Sequence, residues 1–182
     1  IENESNIDDN TGAVLLIHQS NFVIEGFTHK PNIKEIVQMA HKHKVPVFYD
    51  LGSGSMINTG EFSIQYEPTV QDAIKDGVDL VIFSGDKLIG GPQAGIIIGK
   101  EKYIKLMERH PLSRVLRIDK INLAGLIATL HHYEIGDSED TIPIWKMISI
   151  PLIELGKRAQ QWVDACGSNA EVLASKSTIG GG

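Results

Sequence analysis

Short apolar runs alternate with segments of helical period along the first 109 residues, and this alternation constrains the fold more than any other feature. Residues 13–18 (Ala-Val-Leu-Leu-Ile-His), 45–50 (Val-Pro-Val-Phe-Tyr-Asp), 80–83 (Leu-Val-Ile-Phe) and 94–98 (Ala-Gly-Ile-Ile-Ile) read as strands. Their apolar residues run on continuously instead of alternating with polar ones, the mark of strands buried on both sides. Between them lie helical segments. Residues 31–43 place Pro31 in the first turn and Ile33, Ile36, Val37 and Ala40 at helical spacing. Residues 69–75 form a shorter helix, with Thr69 as N-cap, Asp72 three places on and Gly77 as the stop. Residues 100–109 form another. The pattern predicts an α/β architecture: a mixed, mostly parallel sheet with helices on both faces.

The remainder reads differently. Asp119 caps a helix running to about Tyr133, with Ile121, Leu123, Leu126, Ile127 and Leu130 as a wide apolar stripe. Residues 136–140 read as a loop, and 145–175 as mostly helical with a break at Pro151. We therefore divide the chain into 1–118, part of a large sheet domain, and 119–182, a bridging helix and the start of a smaller α/β domain. The chain opens on Ile1 and closes on three glycines, which reads as a piece of something longer.

Bulk properties narrow the function. The chain has 182 residues, 42% of them hydrophobic, and a net charge of −6 from 23 acidic and 17 basic residues. That balance argues against a general nucleic-acid binder. A lone cysteine, Cys166, excludes an intrachain disulfide and a cysteine-cluster zinc site, and fits a reducing, cytoplasmic setting. No apolar run is long enough to span a bilayer and no signal peptide is visible. His41 and His43, and the neighbours His131 and His132, diverge on their helices and read as solvated, not as a metal set.

Ligands of α/β sheets bind at the carboxyl ends of strands, and two polar clusters fall there. Asp50 ends a strand and precedes Leu-Gly-Ser-Gly-Ser. Ser84-Gly-Asp-Lys87 ends the next and leads into Leu-Ile-Gly-Gly-Pro-Gln-Ala-Gly95. Lys87 alone fits either a surface turn or a lysine in Schiff-base linkage to pyridoxal 5′-phosphate (PLP). Asp50 alone fits either a turn aspartate or the acid that pairs with the pyridine nitrogen. Ser84, three residues before Lys87, has the spacing to reach a phosphate while the amine reaches the aldehyde carbon. Together they favour the PLP reading. Neither a phosphate-binding Gly-x-x-x-x-Gly-Lys-Ser/Thr loop nor a dinucleotide Gly-x-Gly-x-x-Gly is present. Arg114 and Arg117, three apart, share one side of a helical turn and suit either an oxyanion clamp or a solvated basic turn.

These residues resemble the bacterial selenocysteine synthase family, the L-seryl-tRNA(Sec) selenium transferases. The resemblance rests on residues 81–100, with Ser-Gly-Asp-Lys and Gly-Gly-Pro-Gln-Ala-Gly, and on Asp-Leu-Gly-Ser-Gly-Ser at 50–55. It extends to His18-Gln-Ser-Asn-Phe22, Gly26-Phe-Thr28 and His110-Pro-Leu-Ser-Arg-Val-Leu-Arg117, so that it runs over about residues 13–132. It implies the fold-type-I PLP-transferase architecture, similar to aspartate aminotransferase. It implies that Lys87 and Asp86 are catalytic, with Asp86 handling or orienting a proton. Lys87, Asp50, Ser84 and His18 would bind the cofactor, and Arg114 and Arg117 would bind selenophosphate.

The implied reaction is a β-replacement on seryl-tRNA(Sec). Its hydroxyl leaves, and selenium is accepted by the resulting aminoacrylyl-tRNA. The resemblance also implies a cytoplasmic homo-oligomer whose tRNA contacts lie mainly outside this chain. Two alternatives stand beside it: a related PLP-dependent lyase acting on a small amino acid or amino sugar, and an inactive assembly module.

Overall fold

Four strands form one sheet in the order β1-β2-β3-β4. The computed structural model describes residues 4–19, 32–62, 64–167 and 170–175. Strands β1 (Val14–Ile17), β2 (Val47–Gly52) and β3 (Leu80–Ser84) run parallel, and β4 (Gly95–Gly99) returns antiparallel beside β3. The predicted mixed, mostly parallel sheet is the one observed.

Helix α1 (Ile33–Lys42) starts where Asn32 accepts a hydrogen bond from the Lys34 amide, and buries Ile36, Val37, Met39 and Ala40. Pro31, expected in its first turn, lies outside the described residues, as do Asn21, Phe22 and residues 26–28. Helix α2 (Val70–Lys75) carries the anticipated cap in full: the Thr69 hydroxyl accepts from the Asp72 amide while the Asp72 carboxylate accepts from the Thr69 backbone. Helices α3 (Glu101–Arg109) and α4 (Leu112–Val115) follow β4.

The two faces of the sheet are unequally covered. Val14, Leu16, Val47, Tyr49, Leu51, Val81 and Phe83 belong to one core with Val37, Ala40, Val70 and Ala73 of α1 and α2. The strand register puts Leu15 beside Phe48, Ile17 beside Asp50, and Asp50 beside Ile82 on the other face. There Leu15 is 58% and Ile17 66% exposed. Strand β1 is therefore buried on one side only, contrary to the reading of a fully buried strand, because it is an edge strand and its outer side chains have no helix over them among the described residues. Helix α3 meets this face through Tyr103, set edge-on to Phe48 at 5.6 Å.

At the amino end of the strands, buried Asp79 fastens several elements. Its Oδ2 accepts from His41 Nε2 and from the Val47 amide, each at 2.8 Å, and its Oδ1 pairs with Lys100 Nζ at 2.7 Å. His41 is thus a partner of a buried carboxylate and not simply solvated.

From Lys120 onward the regular elements among the described residues are all helical. Helix α5 (Lys120–Ile135) is capped by Asp119, whose Oδ1 accepts from the Ile121 and Asn122 amides, and ends on Gly136 in the left-handed conformation (φ 78°). Of its predicted apolar stripe only Leu126 is buried; Ile121 is 84% and Ile127 60% exposed. Of residues 136–140, expected as loop, 138–140 belong to one helical turn, α6 (Ser138–Thr141). The expected helix at 145–175 resolves into α7 (Pro143–Ile148) and α8 (Leu152–Cys166), and 170–175 are irregular.

Candidate active site

Because β1, β2 and β3 are parallel, their carboxyl ends lie along one edge of the sheet. His18 and the loop of Lys87 follow those ends, and Asp50 lies two residues before the end of β2. The His18 amide donates to the Asp50 carbonyl at 2.8 Å, which joins the first two directly. The β2–β3 register slips between Asp50 and Gly52, a bulge that ends regular pairing where polar groups are needed. Asp50 and Ile82 are register partners, and Ser84 lies two residues beyond Ile82, so Asp50 and Ser84 share the less covered face.

Asp50 Oδ1 accepts from the Gly52 amide at 3.0 Å. This is the turn contact anticipated for an aspartate before Leu-Gly, and a carboxylate with about four acceptor sites keeps capacity for a cationic nitrogen. Gly54 is required for steric reasons: it has φ 67°, and a Cβ there would sit 2.7 Å from Phe83 Cδ2.

The Lys87 loop is a closed turn. Gly85 N–H donates to Ala94 O (2.8 Å), Gly90 N–H to Lys87 O (2.9 Å) and Gly91 N–H to Gly85 O (2.8 Å). Leu88 N–H donates to Ser53 O (3.1 Å), tying this turn to the one after Asp50. Leu88 and Ile89 are buried, Lys87 is half-buried and Asp86 exposed. Among the described residues Lys87 forms no ion pair. A half-buried lysine without an ion-pair partner among the described residues, on a turn tied to the one that follows Asp50, is chemistry that could hold PLP.

The His18 imidazole is held from the side. Its Nε2 lies 2.7 Å from Oε2 of Glu67, which is 4% exposed. The Ser53 hydroxyl donates to the same oxygen at 3.5 Å, and the Glu67 amide donates to the buried Thr59 hydroxyl at 2.8 Å. Burial, with the Glu67 charge adding to it, pushes the nearby Tyr49 phenol up to about 12. Nothing in a single Glu-Pro-Thr stretch marks Glu67 beforehand, because its partner lies 49 residues away.

Arg114 lies in α4, but the helix ends at Val115 and Arg117 falls beyond it, so the two do not share a continuous helical face. Both are exposed, and among the described residues no ion pair ties either of them to the Lys87 loop.

A family model described as "SelA: L-seryl-tRNA selenium transferase" matches residues 2–182. The chain is 45% identical to an L-seryl-tRNA(Sec) selenium transferase of Clostridium botulinum (strain Loch Maree / Type A3), over 98% of this chain and 40% of the relative. It is 46% identical to the enzyme of the same name from Carboxydothermus hydrogenoformans, over 85% of this chain and 33% of that one. The chain thus spans about two-fifths, or less, of the length of these curated relatives. Among solved structures, D-glucosaminate-6-phosphate ammonia-lyase superposes with a TM-score of 0.55 at 26% identity, over 73% of this chain and 32% of the other. Sphingomonas wittichii serine palmitoyltransferase superposes with a TM-score of 0.52 at 15% identity, over 91% and 38%, a likeness of fold alone.

Proposed function

We propose that this chain, which belongs to the L-seryl-tRNA selenium transferase family, carries the cofactor-lysine part of an enzyme that makes selenocysteinyl-tRNA(Sec) from seryl-tRNA(Sec), with PLP as cofactor and selenophosphate as donor. When bound, PLP supplies an electron sink that acidifies the seryl Cα–H. The chain's own residues do the rest. Lys87 would hold the cofactor through its amine, and the free amine would take the Cα proton. Asp50 would pair with the ring nitrogen and keep it protonated. Ser84 donates to the phosphate, and Asp86 orients or relays a proton beside Lys87. His18, steadied by Glu67, borders the cofactor. Arg114 and Arg117 receive the anionic donor; their exposure suits groups that wait for a charged substrate.

The observation that carries the reading is half-buried Lys87, without an ion-pair partner among the described residues, on a turn hydrogen-bonded to the turn that follows Asp50. The test is borohydride reduction of the full-length protein with PLP, followed by peptide mass spectrometry, and a selenium-transfer assay with seryl-tRNA(Sec). A pyridoxyl group on Lys87 and transfer dependent on that tRNA are expected. An unmodified Lys87 would sink the proposal. The likeness to D-glucosaminate-6-phosphate ammonia-lyase motivates a second reading, a lyase acting on a small amine; tRNA-independent turnover of such a compound would favour it. We place the enzyme in the cytoplasm as a homo-oligomer. No described helix is long and apolar enough to cross a membrane, and exposed Val115, Leu116 and Ile121 offer apolar surface for a second copy.

A further inference from the structure

The residue after Lys87 is gripped at both of its backbone groups. The Leu88 amide donates to Ser53 O, on the Asp50 side. The Leu88 carbonyl accepts from the hydroxyl of Tyr133 on α5 at 3.1 Å, and the Ile89 carbonyl accepts from the same hydroxyl at 2.9 Å. That hydroxyl in turn accepts from Trp145 Nε1 of α7. Trp145 is fully buried, packs on Phe62 with ring centroids 5.8 Å apart, and shares a cluster with Leu88 and Ile142.

From this geometry we infer that Tyr133 and Trp145 are positioning residues for Lys87: they hold the lysine turn against the sheet edge at the height set by Ser53. The inference rests on the role proposed for Lys87 above. Leu88 is 3% exposed and Ile89 fully buried, so their carbonyls need a protein donor, and a missing partner there costs more than a hydrogen bond in water. Tyr133 is suited to the task. Burial pushes its phenol up to about 12, so it remains a donor through the neutral range. Its single proton is shared between the two carbonyls while the oxygen accepts from an indole N–H, which fixes the direction of the hydroxyl. The surrounding contacts are close. A Cβ on Gly91 would lie 3.1 Å from Thr129 Oγ1, and one on Gly90 would lie 2.4 Å from Ile142 Cγ2. Lys87 thus stands on a turn clamped between the Asp50 strand and the helices that follow residue 119.

The test is carried out on the full-length protein, with Tyr133→Phe, which keeps the ring and removes the hydroxyl, and Trp145→Phe. Three measurements are made: amide hydrogen exchange of residues 85–91 without cofactor, PLP affinity by absorbance titration, and borohydride fixation on Lys87. In Tyr133→Phe the turn amides should exchange about tenfold faster, with PLP bound about tenfold more weakly, while amides of Val81 and Ile82 in β3 keep wild-type rates. Trp145→Phe should shift both readouts the same way by less, and the double variant should lose less than the sum, since both act through one hydroxyl. Unchanged exchange in the turn, or uniform acceleration that includes β3, overturns the positioning role. Failure to fix PLP on wild-type Lys87 overturns instead the reading on which it rests, and the exchange data tell the two failures apart.

Discussion

Asp79 shows how one side chain can fasten several elements. Burial opposes its charge, but the Lys100 ammonium, the His41 imidazole and the Val47 amide outweigh that cost and hold its carboxyl below the usual 3.8. A depressed folded-state pKa stabilises the fold above the unfolded-state value and loses that contribution as pH falls through the folded-state value. Asp79→Asn should therefore cost about 2 kcal/mol at neutral pH, measured from urea midpoints, and its gap from wild type should close below pH 3.8. Asp50 works at the opposite end of the same strands. Asp50→Ala should abolish tight PLP binding with little change in thermal stability, because among the described residues its carboxylate accepts only from the Gly52 amide beside it; wild-type affinity in an absorbance titration would refute its pairing role. At this scale the candidates Lys87, Asp50 and Ser84 stand out in sequence because each follows an apolar run. Glu67 is not, since a buried carboxylate looks like any other until its imidazole is in place.

The elements obey local rules, and their departures have local causes. Thr69→Ala removes one half of a complete capping box at α2 and should cost about 1 kcal/mol in thermal or urea unfolding. Gly90→Ala should be worse. It forces a side chain into φ 74° and into contact with Ile142 and Ile144. We expect more than about 1 kcal/mol lost, together with faster hydrogen exchange in the Lys87 turn. Strand positions and caps were readable from apolar runs and from Thr, Asn and Asp at helix starts. The face of α5 that matters was not. The apolar stripe of Ile121, Leu123, Ile127 and Leu130 draws the eye, yet the packing face is Gly125, Leu126, Thr129 and Tyr133, where Pro92 and Gly91 approach closely. Small and hydroxyl residues make that face because the lysine turn has to come near the helix. Spacing alone finds apolar faces and passes over such a surface.

At the scale of the whole molecule, the described residues pack one sheet face and leave the other largely open, an arrangement parallel strands rarely keep. The relatives are more than twice as long, which leads to an expectation about the longer protein. Ile17→Lys should destabilise it by at least about 1.5 kcal/mol, although Ile17 is 66% exposed here; an unchanged thermal midpoint would show that this face stays open. By itself the sequence determined the strands and most helices, the mixed, mostly parallel sheet and the lysine motif, because each is written in contiguous residues and short-range period. Only the tertiary structure decided that His18 leans on Glu67, that Asp79 gathers His41, Lys100 and Val47, and that the lysine turn rests on Tyr133 and Trp145. Those contacts join residues 12 to 49 positions apart in the chain. No local pattern encodes them, because they depend on where the packed backbone leaves a buried polar group in need of a partner.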